Sequence, residues 1–170
     1  MFKNIPVSHL LLGIYQIAGG ILGIAVVVAL IHRGSDTFSG TLSVILSWVA
    51  ILYIYSIYCG VLLIIGNTKG LNQTQINQYL QVISIFAYGF AFQYYSGIYF
   101  SVGIYLTHPI DFTSSWGLST FRMNLAGKSE SLLFNLNLVA LGLILYTNQL
   151  MRIESKKAAA EAREKQKKGN

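Results

Sequence analysis

Formal charge is scarce in this chain. Only 11% of the 170 residues are Asp, Glu, Lys or Arg, whereas 54% are hydrophobic, and the mean hydropathy is +0.54. A soluble domain usually carries about 25% charged residues. The shortage of charge therefore excludes an ordinary soluble domain and predicts an integral membrane protein, because the apolar excess must face lipid.

Cysteine and proline are also rare. The single cysteine, Cys59, excludes an intramolecular disulfide and a CxxC motif. Two prolines in 170 residues argue against a loop-rich fold. The chain also has no Gly-rich phosphate-binding motif. Nucleotide binding and dithiol chemistry therefore have no support in the sequence.

The middle of each long apolar segment carries no Asp, Glu, Lys or Arg. Ionised residues inside a membrane usually mark proton relays and ion paths. Their absence argues against a proton-coupled pump. It leaves open a pore that an oligomer lines with polar uncharged side chains.

The side predicted to face outward could gather residues that support catalysis or bind a metal or haem. They are His32, Asp36, His108, Asp111, Ser114 and Ser115. No spacing fixes them into a nucleophile–base pair or a complete ligand set. We predict no enzyme, no cofactor and no metal, with a lipid-active or haem-binding membrane enzyme as a remote alternative.

Four long apolar segments dominate the chain. They cover about residues 8–31, 41–65, 78–106 and 131–151. A spanning helix needs about 20 apolar residues, and the first segment exceeds the 7–15 apolar residues of a signal peptide. The predicted fold is an all-α integral membrane protein: a bundle of four transmembrane helices over residues 1–151, multi-pass in the cell (inner) membrane.

The connection 107–130 between the third and fourth segments has two open interpretations. Leu118, Phe121 and Leu125 recur at helical spacing, which fits a short helix lying in the membrane interface. An irregular loop packed on the end of the bundle fits equally well.

Lys and Arg are distributed unevenly between the two predicted sides of the membrane. Four spans would place Lys3, Lys69 and seven cations of residues 152–170 on one side, and Arg33, Arg122 and Lys128 on the other. Cytoplasmic loops carry the excess of Lys and Arg. The pattern predicts that both termini are cytoplasmic.

Residues 152–170 form a basic tail that is rich in strong helix formers, so we predict a cytoplasmic helix. Its cations could dock on anionic lipid or on an acidic partner, or could serve only to fix the topology. The docking candidates are Lys156, Lys157, Arg163, Lys165, Lys167 and Lys168. The tail has no aromatic residue to stack on bases, so we predict no nucleic-acid binding.

The third segment contains an uncharged, aromatic-rich stretch over residues 86–100. On a helix, Gly89, Gln93 and Ser96 would form a small and polar stripe between two aromatic faces. We predict that Gln93 hydrogen-bonds across helices near the middle of the membrane, with Tyr53 as its partner. Alternation of large and small residues over 86–92 is also typical of a strand, but no other segment alternates, so we predict a helix.

The first segment offers Gly19 and Gly23 as a small-xxx-small step, for packing within the chain or for a dimer. Together with the aromatic stretch, this favours a non-enzymatic subunit that assembles with itself or with other membrane proteins in the lipid bilayer. An oligomeric channel or facilitator, with its pore lined by polar residues of the third helix, is the alternative.

Overall fold

A computed structural model describes residues 5–33, 40–87, 90–106, 109–124 and 132–169. Within these residues the chain forms helices and strands in two blocks, with one further helix at the end. In chain order they are α1 (Val7–Arg33), α2 (Gly40–Ile64), α3 (Gly70–Val82), β1 (Ile83–Ala87), β2 (Phe90–Tyr105), β3 (Asp111–Asn124), β4 (Leu133–Asn137) and α4 (Leu138–Gly169).

Helices α1 and α2 pack against each other as an antiparallel pair. Small residues let the two backbones approach closely: a Cβ atom added at Gly13 would lie 2.8 Å from the Gly60 carbonyl oxygen, and one at Gly20 would lie 2.7 Å from the Tyr53 carbonyl oxygen. Close approach at glycine is the usual means by which helices pack in lipid. Val7–His32 and Ser43–Ile64 are each long and apolar enough to cross a membrane.

A tight turn sends the chain back along α2 as α3. Gly66 takes a positive φ of 67°, and the Gly66 and Asn67 amides donate to the Leu63 and Leu62 carbonyls. This is the Schellman arrangement that ends helices at glycine. The turn brings Leu71 of α3 against Leu63 of α2.

The four strands form one antiparallel sheet in the order β1-β4-β2-β3. Strand β2 pairs with β3 along its length, and its other edge pairs with β1 near Phe90 and with β4 near its end. Strands β1 and β4 also pair with each other, so the sheet curls back on itself. A bulge between Tyr95 and Ile98, where Gly97 has a φ of 97°, interrupts the β2–β3 register. Bulges bend a strand and increase its twist.

The prediction of an all-α bundle of four transmembrane helices is wrong. The segment predicted as a span at 78–106 contains the end of α3 and strands β1 and β2, and the segment predicted at 131–151 contains β4 before it becomes helical at Leu138. Aromatic and β-branched side chains fill β2, and such residues fit a pleated surface. Asn137 ends β4 because its side-chain oxygen accepts hydrogen bonds from the Val139 and Ala140 amides, as a helix N-cap does.

Two further predictions that depended on the four-helix bundle are also wrong. The connection between the third and fourth apolar segments contains β3 (Asp111–Asn124), so Leu118 and Phe121 belong to a strand and not to an interfacial helix or an irregular loop. Leu125 lies outside the described residues. Gln93 and Ser96 lie in β2, so there is no third transmembrane helix there to line a channel. The basic tail does continue α4 as an exposed helix.

Helix α3 buries its polar face and exposes its apolar face, the opposite of a helix in a soluble protein. Its buried polar residues, each at most 1% exposed, are Thr74, Asn77, Gln78 and Gln81. Its exposed large residues are Ile76, Tyr79 and Leu80, of which Tyr79 is 58% exposed. A soluble helix places its apolar stripe inward and its polar face outward. The inversion is what an apolar solvent favours, because polar groups there must find partners inside the protein.

Replacing Gly19 with Ala should destabilise the fold, because a Cβ atom at Gly19 would lie 2.5 Å from the Gly97 backbone nitrogen. We expect Gly19→Ala to lower the free energy of unfolding by about 1–3 kcal/mol, the usual cost of overpacking. Unfolding in detergent, followed by circular dichroism, measures the effect.

Gly142→Ala in α4 is the matched control, because nothing lies within 4 Å of a Cβ added there. Alanine is the better helix former, so this variant should be more stable by about 0.5–1 kcal/mol. Equal effects of the two substitutions would show that close packing at Gly19 is not the cause.

Candidate functional site

A buried hydrogen-bond network joins α1, α2, α3 and β2. The Ser56 hydroxyl lies 2.8 Å from Gln16 Oε1, and the Asn77 side-chain amide donates to the same oxygen at 2.7 Å. Ser96 of β2 donates to the Ser56 hydroxyl at 2.9 Å, and its backbone amide donates to Gln81 Oε1 at 2.7 Å. All five residues are at most 1% exposed. The network holds the sheet against the helices.

Tyrosines extend this contact toward the other end of the helix pair. The Tyr94 hydroxyl donates to the Leu52 carbonyl at 2.9 Å, and the Tyr53 hydroxyl donates to the Tyr95 carbonyl at 3.4 Å. The Tyr53 and Tyr94 rings are 5.2 Å apart between centroids.

Two of the predicted packing residues, Gly19 and Gly23, lie at close contacts of α1. Gly19 lies against the β2 bulge at Gly97, and Gly23 lies against the ring of Tyr53. Both glycines therefore pack within the chain. The sequence alone had allowed either this packing or a dimer contact. Gly89 lies outside the described residues.

Gln93 and Ser96 do not share a stripe. Ser96 bonds to α2 and α3, whereas Gln93 lines a cavity on the other face of β2. The predicted bond between Gln93 and Tyr53 is not formed, because the Tyr53 hydroxyl bonds to the Tyr95 carbonyl. Strand geometry explains the difference, since neighbouring side chains alternate between the two faces of a strand.

Sequence reasoning missed Gln16, Asn77 and Gln81. A signal for them was available, because six of the thirteen residues of α3 are Asn or Gln: Asn72, Gln73, Gln75, Asn77, Gln78 and Gln81. So many amides beside long apolar segments indicate a polar face turned inward. The Gln78 amide is fully buried with no hydrogen-bond partner among the described residues, so not every amide of α3 contributes a bond.

A cavity of about 330 Å³ lies inside the curl of the sheet. Its lining combines polar and aromatic side chains from all four strands. These include Gln93, Arg122 and Asn135, the hydroxyl residues Thr113, Ser115 and Thr120, and the aromatic residues Phe86, Phe90, Tyr99 and Tyr105. Gln93 and Asn135 are 7% and 6% exposed. The curl of the sheet thus encloses a polar interior.

The outer face of the same sheet is apolar beyond the bulge. Ile98 pairs with Leu118, Phe100 with Trp116, and Ile104 with Phe112 across β2 and β3. Trp116 is 81% exposed, Phe112 75% and Leu118 60%. We call this surface the apolar sheet face. A contiguous exposed patch of this kind marks a surface that lipid or another protein covers.

Among the described residues, the β3 edge next to the apolar sheet face is open, with no strand paired to it. Among the described strands, β3 pairs only with β2. Ser119 of β3 is tied to α1, because its hydroxyl donates to the Gly19 carbonyl at 2.8 Å and accepts from the Gly97 amide at 2.9 Å. Among the described residues, positions 111–118 of β3 form no hydrogen bond with α1, and they carry the most exposed side chains of the strand.

The outward-side residues considered for catalysis do not form a site in the described part of the chain. Asp36 and His108 lie outside the described residues. The Asp111 carboxylate accepts the Phe112 amide at 2.8 Å, and the Ser115 hydroxyl lies 2.7 Å from the Ser101 hydroxyl. The described residues contain no group of three or more His, Cys, Asp or Glu that could hold a metal ion.

Comparisons with known proteins give no lead to the function. No family model matches the chain, and neither a curated protein nor a solved structure matches it.

Asn77→Ala should weaken the link between helices and sheet, because it removes the bonds to Gln16 and Ser56 and leaves their buried oxygens with fewer donors. We expect the free energy of unfolding to fall by about 1–2 kcal/mol. Gln149→Ala on the exposed side of α4 is the control and should change it by less than about 0.5 kcal/mol. Equal stability of both variants in detergent would mean that the network contributes nothing measurable.

Proposed function

We propose that the protein is a non-enzymatic membrane protein that assembles in the bilayer with a second copy of itself or with another membrane protein. The observation that carries this proposal is the open β3 edge beside the apolar sheet face. In an apolar environment, unpaired backbone N–H and C=O groups cost several kcal/mol each and need a protein partner. Assembly along β3 supplies that partner.

The distribution of apolar surface supports a bilayer as the surrounding medium. Only 28% and 33% of the most apolar windows of α1 and α2 are buried inside the protein. A core helix of a soluble protein would be mostly buried. Trp48 is 64% exposed, Val44 59% and Ile54 56% on the free side of α2. The outward apolar residues of α3 extend this surface.

The proposed orientation places both ends of the described chain on the cytoplasmic side of the inner membrane. His9 Nε2 lies 3.0 Å from Glu154 Oε1, so the start of α1 lies beside the first turns of the tail. The α2–α3 turn lies at the same end, because a Cβ added at Gly66 would lie 3.9 Å from Ile5. Lys69 and the tail cations then share one side, as the positive-inside rule favours.

A second copy is the partner that best fits the open edge. Residues 112–121 of β3 contain neither a charged residue nor a proline, the features by which native edge strands avoid pairing. Two antiparallel copies of β3 would pair about a twofold axis, and the apolar sheet faces would continue into one another. Such pairing satisfies the backbone of both copies at once.

The native mass of the protein in lipid nanodiscs tests this assembly. We expect a dimer, and we expect Trp116→Ser to weaken dimerisation by roughly tenfold or more, because exposed tryptophans are frequent hot spots of interfaces. Trp48→Ser, on the lipid-facing side of α2, removes an equally large exposed side chain and should leave the dimer intact. A wild-type monomer that retains no other membrane protein would contradict the proposal.

The tail is proposed to lie on anionic lipid. With about 100° per helical residue, Arg152, Lys156, Arg163 and Lys167 fall within roughly 60° of one another, and Glu154 and Glu161 fall on the opposite side. Residues 152–168 of the tail are all exposed. A one-sided row of cations suits a flat anionic surface, where each contributes about 1 kcal/mol.

Two triple variants, each with three cations removed, test whether the position of the cations on the helix matters or only their number. An environment-sensitive fluorophore on Ala160→Cys, in a Cys59→Ala background, reports contact with the lipid surface. We expect a blue shift in phosphatidylglycerol nanodiscs that is lost on replacing Lys156, Arg163 and Lys167 with Gln. Replacing Lys157, Lys165 and Lys168 with Gln should largely preserve the shift, and added salt should weaken it. Equal losses in the two variants would reject a one-sided contact.

A further inference from the structure

The cavity inside the curled sheet has the features of a ligand site. Its volume of about 330 Å³ falls at the lower end of the range of roughly 300–1,000 Å³ for small-molecule pockets. We propose that it binds a small aromatic carboxylate, with the acid group near Arg122 and the ring between the aromatic side chains. This site is independent of the assembly proposed above.

The charge of the lining selects an anion. Among the described residues that line the cavity, Arg122 is the only Asp, Glu, Lys, Arg or His. It is exposed and pairs across the sheet with Gln93, which is buried. A guanidinium group binds a carboxylate through two parallel hydrogen bonds. A carboxylate in the cavity would therefore meet its counter-charge at Arg122 and further donors deeper inside.

Two buried amides line the cavity without protein partners. Among the described residues, neither Gln93 nor Asn135 has a side-chain hydrogen bond, although both are more than nine-tenths buried. Neither amide is fully enclosed by protein atoms, so both are accessible from the cavity and can bond a ligand there. Their amides can each donate to a carboxylate oxygen.

Gly103 makes room for one of these amides. A Cβ atom at Gly103 would collide with the side-chain oxygen of Asn135, its partner across the β2–β4 pair. Glycine in a strand often marks a place where another group approaches closely. The backbone of β2 therefore leaves space for Asn135 to lie across the strand and line the cavity.

Aromatic side chains make up much of the remaining wall. Phe86 comes from β1, and Phe90, Tyr99 and Tyr105 come from the start, the middle and the end of β2. Such walls favour a flat ring, because aromatic rings attract one another by more than the apolar area that they bury accounts for. The combination favours an arylcarboxylate over an acyl chain of similar size.

Equilibrium dialysis against the protein in phosphatidylcholine nanodiscs tests the site, with empty nanodiscs as the blank. The probes are 2-naphthoate, its neutral analogue 2-naphthamide, and octanoate. We expect 2-naphthoate to bind more tightly than both others. Arg122→Gln should weaken 2-naphthoate binding by roughly tenfold or more, the usual scale for a charge-assisted hydrogen bond, and should leave 2-naphthamide nearly unchanged.

Two further variants distinguish charge at the site from charge elsewhere and from loss of fold. Lys69→Gln removes one exposed cation that does not line the cavity and should change no affinity. Ala91→Leu extends a side chain into the cavity and should weaken 2-naphthoate and 2-naphthamide alike. Circular dichroism in nanodiscs should show the wild-type spectrum for all three variants.

Several results would overturn the proposal. They are no binding of 2-naphthoate above the blank, unchanged affinity in a folded Arg122→Gln variant, and equal losses from Arg122→Gln and Lys69→Gln. Octanoate binding as tight as that of 2-naphthoate would reject the aromatic class and indicate a lipid-derived acid.

Discussion

The backbone of α1 touches the backbone of β2 where Gly19 meets the bulge at Gly97, and the rest of the structure depends on this contact. The positive φ of Gly97 bends β2, and the absence of side chains on both glycines lets the strand lie directly on the helix. Ser119 then bridges the Gly97 amide and the Gly19 carbonyl. The bend accompanies the curl that lets β1 pair with β4, and the close approach brings Ser96 within reach of Ser56.

Polar groups inside and apolar groups outside are the common pattern of α3 and of the sheet beyond the bulge. In water this arrangement would lose most of the free energy that burial normally supplies. In lipid the same arrangement is favourable, since an apolar surface costs nothing there and each buried amide or hydroxyl gains from a protein partner. The cavity follows from the same rule. Because the apolar face of the curled sheet points outward, its polar face points inward and lines the cavity.

The two long helices were predictable because a continuous apolar run of sufficient length commonly forms a single helix. Predicted bounds of about 8–31 and 41–65 compare with Val7–Arg33 and Gly40–Ile64. The helical tail was equally predictable from its Ala, Glu, Lys and Arg content. These features depend on local sequence alone.

Residues 78–106 were predicted as a helix because the run is long and apolar enough to span a membrane, although residues 98–105 alternate between an apolar outer face and a more polar inner face. What decides its structure is remote in sequence: β2 pairs with β3 and β4, and Ser96 bonds to Ser56, forty residues earlier. The alternation over residues 86–92 did indicate a strand. The helix was preferred because no other apolar segment alternates. The fourth segment contains only β4, which at five residues is too short to show alternation. The cavity residues share this difficulty, since Arg122 and Gln93 meet only through strand pairing.

Helix α4 begins at the residue after β4 and runs without interruption from Leu138 to Gly169. At 1.5 Å per residue, its 32 residues form a rod about 48 Å long. Asn135, which lines the cavity, lies three residues before the base of this rod, and the Asn137 cap connects strand to helix without a loop. Because no loop intervenes, the cavity wall at Asn135 and the tail belong to one continuous stretch of regular structure, and the His9–Glu154 contact joins that stretch to the start of α1.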